Sequence, residues 1–147
     1  MPARSSPFPR GGSSAVEDYL ERILDLLDSK GYARVVDIAS SLKISQASVT
    51  NMVQRLDAEG LLKYEKYRGL ILTTAGEKLA RSIAHRHQLL TDFLELFGIN
   101  EEVIYHYVEG MEHHISAPTV RAIEALTVQM RRQPALLKKI RKEIHGN

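Results

Sequence analysis

The 147-residue chain has no cysteine. That excludes a disulfide, a zinc ribbon, a thiolate metal site and a cysteine nucleophile, and it suits a reducing, cytoplasmic setting. Long apolar runs are also missing. None approaches the length of a membrane span, so no membrane partner is expected. Arg4 and Arg10 have no apolar segment after them, which argues against a secretory signal. There is no His-Glu-x-x-His, no P-loop and no nucleophile elbow. No substrate cleft is suggested either, so the chain is expected not to be an enzyme and to take no small organic substrate. A large excess of one charge is absent too. The net charge is +2, and its distribution says more than its size, because Arg131 to Lys142 carries six basic residues.

Hydrophobic residues are 44% and charged residues 26% of the chain. That is ordinary for a globular protein and enough for one or two small domains with a real core. Residues 1–14, rich in Pro, Gly and Ser, are expected to be a flexible tail. A first helix should start at Ser13 or Ser14 and run to about Ser29, with Gly31 as its stop. Its apolar stripe is Val16, Leu20, Ile23, Leu24 and Leu27. Asp18, Glu21 and Asp25 lie together on another side, where acidic residues also suit the helix dipole.

The next stretch is more specific. A short helix over about Val35 to Leu42 leads into a turn at Lys43-Ile44. A second helix follows from about Ser45 to Glu59, capped by Ser45 and ended by Gly60. Val49, Met52, Val53 and Leu56 recur at helical spacing and face the core. Ser45, Gln46, Ala47, Thr50, Asn51 and Gln54 are left on the exposed side. This is the helix-turn-helix plan, in which the second helix enters the major groove. Asn and Gln can bond adenine bidentately, while Ala and Thr methyls suit thymine. Leu61 to Lys66 and Leu70 to Thr73 read as strands joined by a turn at Tyr67-Arg68-Gly69. A hairpin directly after a recognition helix is the wing of a winged helix. It would place Lys63, Lys66 and Arg68 to meet DNA phosphates or the minor groove.

A long helix is expected from Thr73 or Thr74, with Glu77 completing a capping box from Thr74, to about Phe97 before Gly98. Leu79, Ile83, Leu89, Leu90, Phe93, Leu94 and Phe97 give it a broad apolar surface, which suggests further helices and a second subunit. Glu101 to Ile115 reads as the next helix. Ser116 then caps a helix with Pro118 in its first turn, running to about Met130 with a stripe of Val120, Ile123, Leu126 and Met130. After Pro134 a last basic helix spans about Ala135 to Ile144. Within the Glu101 helix, Glu109, Glu112 and His113 stand at i, i+3 and i+4. Two carboxylates and an imidazole on one face can share an ion, and that donor set suits Mn(II), Fe(II), Co(II) or Zn(II). One helix cannot close such a site alone.

The segments Val16 to Glu21, Asp37-Ile38-Ala39 through Ser48-Val49-Thr50, Arg86-His87 and Glu109 to His114 together resemble the diphtheria toxin repressor family. More narrowly, they resemble its manganese transport regulators. The resemblance spans about Val16 to Met130. It implies a mainly α fold, with an N-terminal winged helix-turn-helix at 15–73 and a helical metal-binding and dimerization domain at 74–147. It implies a homodimer that binds double-stranded DNA at a palindromic operator, usually at promoters of metal uptake genes. It also implies a binuclear site on Asp18, Glu21, His87, Glu109, Glu112 and His113, holding Mn(II), two ions per subunit. Family positions that meet DNA fall on Ser45, Ala47, Thr50 and Asn51. Iron-sensing relatives place a methionine where Asp18 stands and a cysteine where Glu109 stands. The oxygen ligands here favour manganese. The chain is also too short for the SH3-like domain of the iron regulators, as expected of the manganese type. A dimeric winged-helix regulator responding to Fe(II) or to an organic ligand is the alternative expectation.

Overall fold

The computed structural model describes residues 14–146. The tail expected before Ser14 lies outside the described residues. The chain divides into two compact units between Ile83 and Ala84.

The first unit opens with α1 (Ser14–Lys30), α2 (Val35–Leu42) and α3 (Gln46–Ala58), followed by β1 (Leu62–Glu65) and β2 (Gly69–Leu72). α1 buries Val16, Leu20, Ile23 and Leu24, as periodicity predicts. It also buries Leu26 rather than Leu27, and Glu17, which periodicity did not single out. Gly31 takes a φ of +78° and returns its N–H to the Leu27 carbonyl at 2.9 Å, ending the helix as expected. α2 packs on α1 and α3. It ends at Lys43, a left-handed residue, and Ile44 N–H bonds back to the Ala39 carbonyl at 3.1 Å. That tight turn sets the angle at which α3 leaves. Ser45 caps α3 by accepting the Ser48 N–H at 3.1 Å. Val49 and Leu56 are wholly buried, and each is worth about 1.5–3 kcal/mol relative to exposure.

The hairpin is antiparallel, pairing Leu62 with Leu72 and Glu65 with Gly69. Sequence reasoning missed that Ala33 joins it: the Leu70 N–H donates to the Ala33 carbonyl at 3.0 Å. Gly69 is required there, since a Cβ would lie 2.8 Å from that oxygen and φ is +78°. α4 (Thr74–Leu96) begins in this unit. Its cap is Thr73, not Thr74: the Thr73 hydroxyl accepts the Gly76 N–H at 3.1 Å and donates to the Gly60 carbonyl at 2.6 Å. Glu77 is therefore one residue too late for the capping box. Gly76 lies so close to Leu61 that an added Cβ would come within 1.8 Å of its carbonyl oxygen.

The second unit holds the end of α4, then α5 (Glu101–Glu112), α6 (Ala117–Arg131) and α7 (Pro134–His145). Leu90, Ile104 and Val108 form its core, with Leu94, Ile99, Ile115 and Ile123 packed against them. Asn100 caps α5 and Ser116 caps α6. α5 ends at Glu112, three residues short of the expected Ile115, so His113 lies at its C-cap. On α6 the inner stripe passes through Thr127 and Met130, while Leu126 is 47% exposed. The Thr127 hydroxyl donates to the Ile123 carbonyl at 2.7 Å, which is how a polar side chain is tolerated there. α7 packs on α6 yet has no buried residue. No helix among the described residues is long and apolar enough to cross a membrane.

Candidate metal centre and nucleic-acid interface

In the second unit the donors gather on Glu112. The buried stripe of α5 runs Ile104, Val108, Glu112, four residues apart each time, so the third member is a carboxylate where an apolar residue would be expected. Glu112 is 1% exposed. Its Oε2 accepts a hydrogen bond from His87 Nδ1 at 2.7 Å, and its Oε1 lies 3.8 Å from His113 Nε2. His87 comes from α4, 25 residues earlier, and His113 from the C-cap next door. Burying a carboxylate is costly unless cations or strong donors compensate it. Two imidazoles on its two oxygens form a nitrogen-and-oxygen set that fits a borderline-to-hard divalent ion. Glu109 sits one turn earlier and is exposed.

Asp18 and Glu21 lie in the first unit, one turn apart on α1; Asp18 is exposed and Glu21 half-buried. Between them Tyr19 is buried, which pushes its phenol above the ordinary value. The structure thus groups Asp18 with Glu21 on one helix, and His87, Glu112 and His113 around one carboxylate. What sequence spacing missed is that Glu112 is the centre of its group. The available signal was its place at the end of the Ile104–Val108 stripe.

The other surface is on α3. Ser45, Gln46, Ala47, Thr50, Asn51 and Gln54 are all exposed, opposite the buried Val49 and Leu56. Two hydroxyls there are already engaged. Ser45 caps the helix and bonds Ser48 Oγ at 2.9 Å, and Thr50 donates to the Gln46 carbonyl at 2.9 Å. With its proton engaged, the Thr50 hydroxyl can only accept, whereas the amides of Gln46, Asn51 and Gln54 can both donate and accept. On the wing, Lys63, Lys66 and Arg68 are exposed, and Arg68 pairs with Glu65 at 3.1 Å. Where α2 begins, Arg34 Nε donates to Asp37 at 2.9 Å. That bond holds the Asp37 carboxyl below its ordinary range and raises the Arg34 guanidinium.

Comparison with known proteins identifies both domains. Residues 13–70 match the family described as "Iron dependent repressor, N-terminal DNA binding domain". Residues 73–141 match "Iron dependent repressor, metal binding and dimerisation domain". The chain is 49% identical over 126 residues to the HTH-type transcriptional regulator MntR of Lysinibacillus sphaericus, covering 86% of this chain and 91% of that protein. It is 56% identical over 102 residues to MntR of Geobacillus thermodenitrificans, covering 69% and 72%. Among solved structures, the apo form of the manganese-activated repressor ScaR superposes with a TM-score of 0.67 at 32% identity. That likeness covers 74% of this chain and 52% of ScaR, so the chain spans about half of that regulator. The chain belongs to the iron dependent repressor family: DNA-binding transcriptional regulators rather than enzymes, built from a winged helix-turn-helix and a metal-binding, dimerising helical domain.

Proposed function

We propose that this protein is a manganese-responsive regulator that represses metal uptake genes when Mn(II) is bound. The observation that carries the reading is Glu112, a buried carboxylate between two imidazoles in a chain without a thiol. Such a set accepts Mn(II), although Mn(II) is the weakest binder of its series, so geometry and nuclearity must supply the selectivity. The similarity to ScaR, a manganese-activated repressor, supports the same ion.

In this reading the DNA-binding domain is 15–73 and the metal-binding and dimerisation domain is 74–147. Two ions per subunit are held by Asp18, Glu21, His87, Glu109, Glu112 and His113. Bound there, they supply the positive charge that lets clustered carboxylates stay together. The chain's own residues do the rest. Asp18 and Glu21 commit α1, the first helix of the DNA-binding domain. His87, Glu112 and His113 commit the dimerising domain. Two copies of α3 then meet two half-sites of a palindromic operator, about one helical turn apart or a multiple of it. Gln46, Ala47, Thr50, Asn51 and Gln54 face base edges with Ser45 at the helix start, and Lys66 and Arg68 face phosphates. For the ion to act as a switch it must prefer the DNA-competent form, and a preference of about tenfold corresponds to about 1.4 kcal/mol.

The family's description names iron, which keeps Fe(II) as a second reading. Both are tested by fluorescence anisotropy with a palindromic duplex selected from randomised DNA, titrating Mn(II), Fe(II), Co(II) and Zn(II) separately at fixed salt. Strong activation by Mn(II), reversed by a chelator, is the expected result. Stronger activation by Fe(II) would transfer the site to iron. Binding indifferent to all four metals would contradict the metal switch.

A further inference from the structure

α7 carries a row of basic residues that neither the proposed metal site nor α3 uses. Lys138, Arg141, Lys142 and His145 stand at i, i+3, i+4 and i+7, so they share one face over two turns, about 10.5 Å of helix. All four are exposed. Arg34, Arg55, Arg68 and Arg81 in the first unit, and Arg131 in the second, each face a carboxylate. Lys138, Arg141 and Lys142 are in no such ion pair among the described residues. Lys142 and His145 also suit the negative end of the helix dipole, but Lys138 lies two turns before His145, beyond that effect. Two members of the row are fixed in place. His145 Nε2 donates to the Phe97 carbonyl at 2.8 Å, and Arg141 Nη2 lies over Gly98, 2.8 Å from where a Cβ would stand. Together with Pro134 and Leu137, the four basic residues line a groove of about 450 Å³. The exposed apolar residues of α7, Leu136 and Ile144, are not part of it.

Cations without carboxylate partners, set along a groove with an apolar wall, suit an anion that also has an apolar part. Lys and Arg form charge-assisted hydrogen bonds with phosphate oxygens, and one guanidinium can hold two of them. Pockets for small ligands span about 300–1,000 Å³, which includes this groove. A duplex would spread its phosphates over a longer surface than two helical turns. We propose that the groove binds a nucleoside polyphosphate, its phosphates on Lys138, Arg141 and Lys142 and its base or ribose against Pro134 and Leu137. Three positive charges balance a di- or triphosphate better than a single phosphate. The groove shares no residue with the manganese reading and is tested apart from it.

The test is isothermal titration calorimetry of the full-length protein with ADP, ATP, tripolyphosphate, inorganic phosphate and adenosine in turn. No metal is added, because nucleotide phosphates themselves hold divalent ions. ADP and ATP should bind most tightly, tripolyphosphate more weakly, and phosphate and adenosine least. Lys138→Gln combined with Lys142→Gln should lower ADP affinity at least about tenfold. Lys139→Gln removes a charge outside the groove and should change it little. Thermal unfolding of both variants should match wild type, which separates loss of the site from loss of fold. Mn(II)-dependent operator binding by the double variant should also match wild type. Failure of wild type to bind ADP or ATP overturns the proposal, as does an equal loss in Lys139→Gln. Tripolyphosphate bound as tightly as ADP overturns the nucleoside assignment and leaves a bare polyanion surface. A double variant that keeps its ADP affinity but loses affinity for a duplex without the palindrome gives the row to DNA, and overturns the proposal too.

Discussion

The recognition helix of the first unit and the helices of the second present opposite faces to solvent. On α3, polar and apolar residues separate cleanly: Val49 and Leu56 are wholly buried, while the exposed side is wholly polar or small. In the second unit, large apolar groups remain outside. Val103, Tyr105, Tyr107 and Met111 on α5, Leu126 and Val128 on α6, and Leu136 and Ile144 on α7 are all at least 39% exposed. On α7 no residue is fully buried within one chain, and only Leu137 and Ile140 are half-buried. The difference matches the two family domains, one that reads DNA and one that dimerises. A single copy gives the first unit its core, whereas the second unit's apolar surface calls for another copy.

The contrast can be tested from its strongest consequence downward. Gly76→Ala should be the most damaging single change in the first unit, since its Cβ would meet the Leu61 backbone. Its loss in urea unfolding should exceed that of Leu56→Ala, for which a cavity in the core costs about 2–5 kcal/mol. Next, dilution should lower hydrogen-exchange protection of α5, α6 and α7 and leave α2 and α3 nearly unchanged, because association stabilises only the unit that dimerises. Equal protection loss in both units would dissolve the comparison.

The smallest effect concerns the Arg34–Asp37 pair. The folded Asp37 carboxyl is held below its ordinary value, so its contribution is present above the unfolded pKa and is lost as pH falls through the lowered folded value. Arg34 is largely exposed, and solvent screening keeps the contribution small. Asp37→Asn should therefore shift the urea midpoint slightly at neutral pH. That difference should vanish in strong acid.

The elements also differed in how far they could be read from residues alone. α2, the turn at Lys43-Ile44 and α3 followed from local signals: helical spacing, a serine cap and a terminal glycine. Such features are decided within a few residues. The misses were decided by distant partners. Thr73 rather than Thr74 caps α4, because only Thr73 also reaches the Gly60 carbonyl. Ala33 joins the hairpin from before α2. Thr127 is the local exception: it replaces Leu126 on the inner side of α6 because the Ile123 carbonyl, one turn back, satisfies its hydroxyl. At the proposed metal site, spacing found Glu109, Glu112 and His113 but ranked them equally. The fold separates them, burying Glu112 against His87 and leaving Glu109 exposed. Spacing also placed Asp18 and Glu21 together on one side of α1, but only the likeness to a known family added His87 and joined the two groups into one proposed site.

The most direct test of the account is an Mn(II) titration followed by electron paramagnetic resonance, comparing wild type with Glu112→Gln. Glutamine keeps the shape and removes the charge. The account predicts two Mn(II) bound per wild-type subunit, and a loss of at least about tenfold in affinity for Glu112→Gln, equivalent to about 1.4 kcal/mol or more. Unchanged Mn(II) binding by Glu112→Gln would contradict the role given to that carboxylate, and with it the metal centre proposed around it.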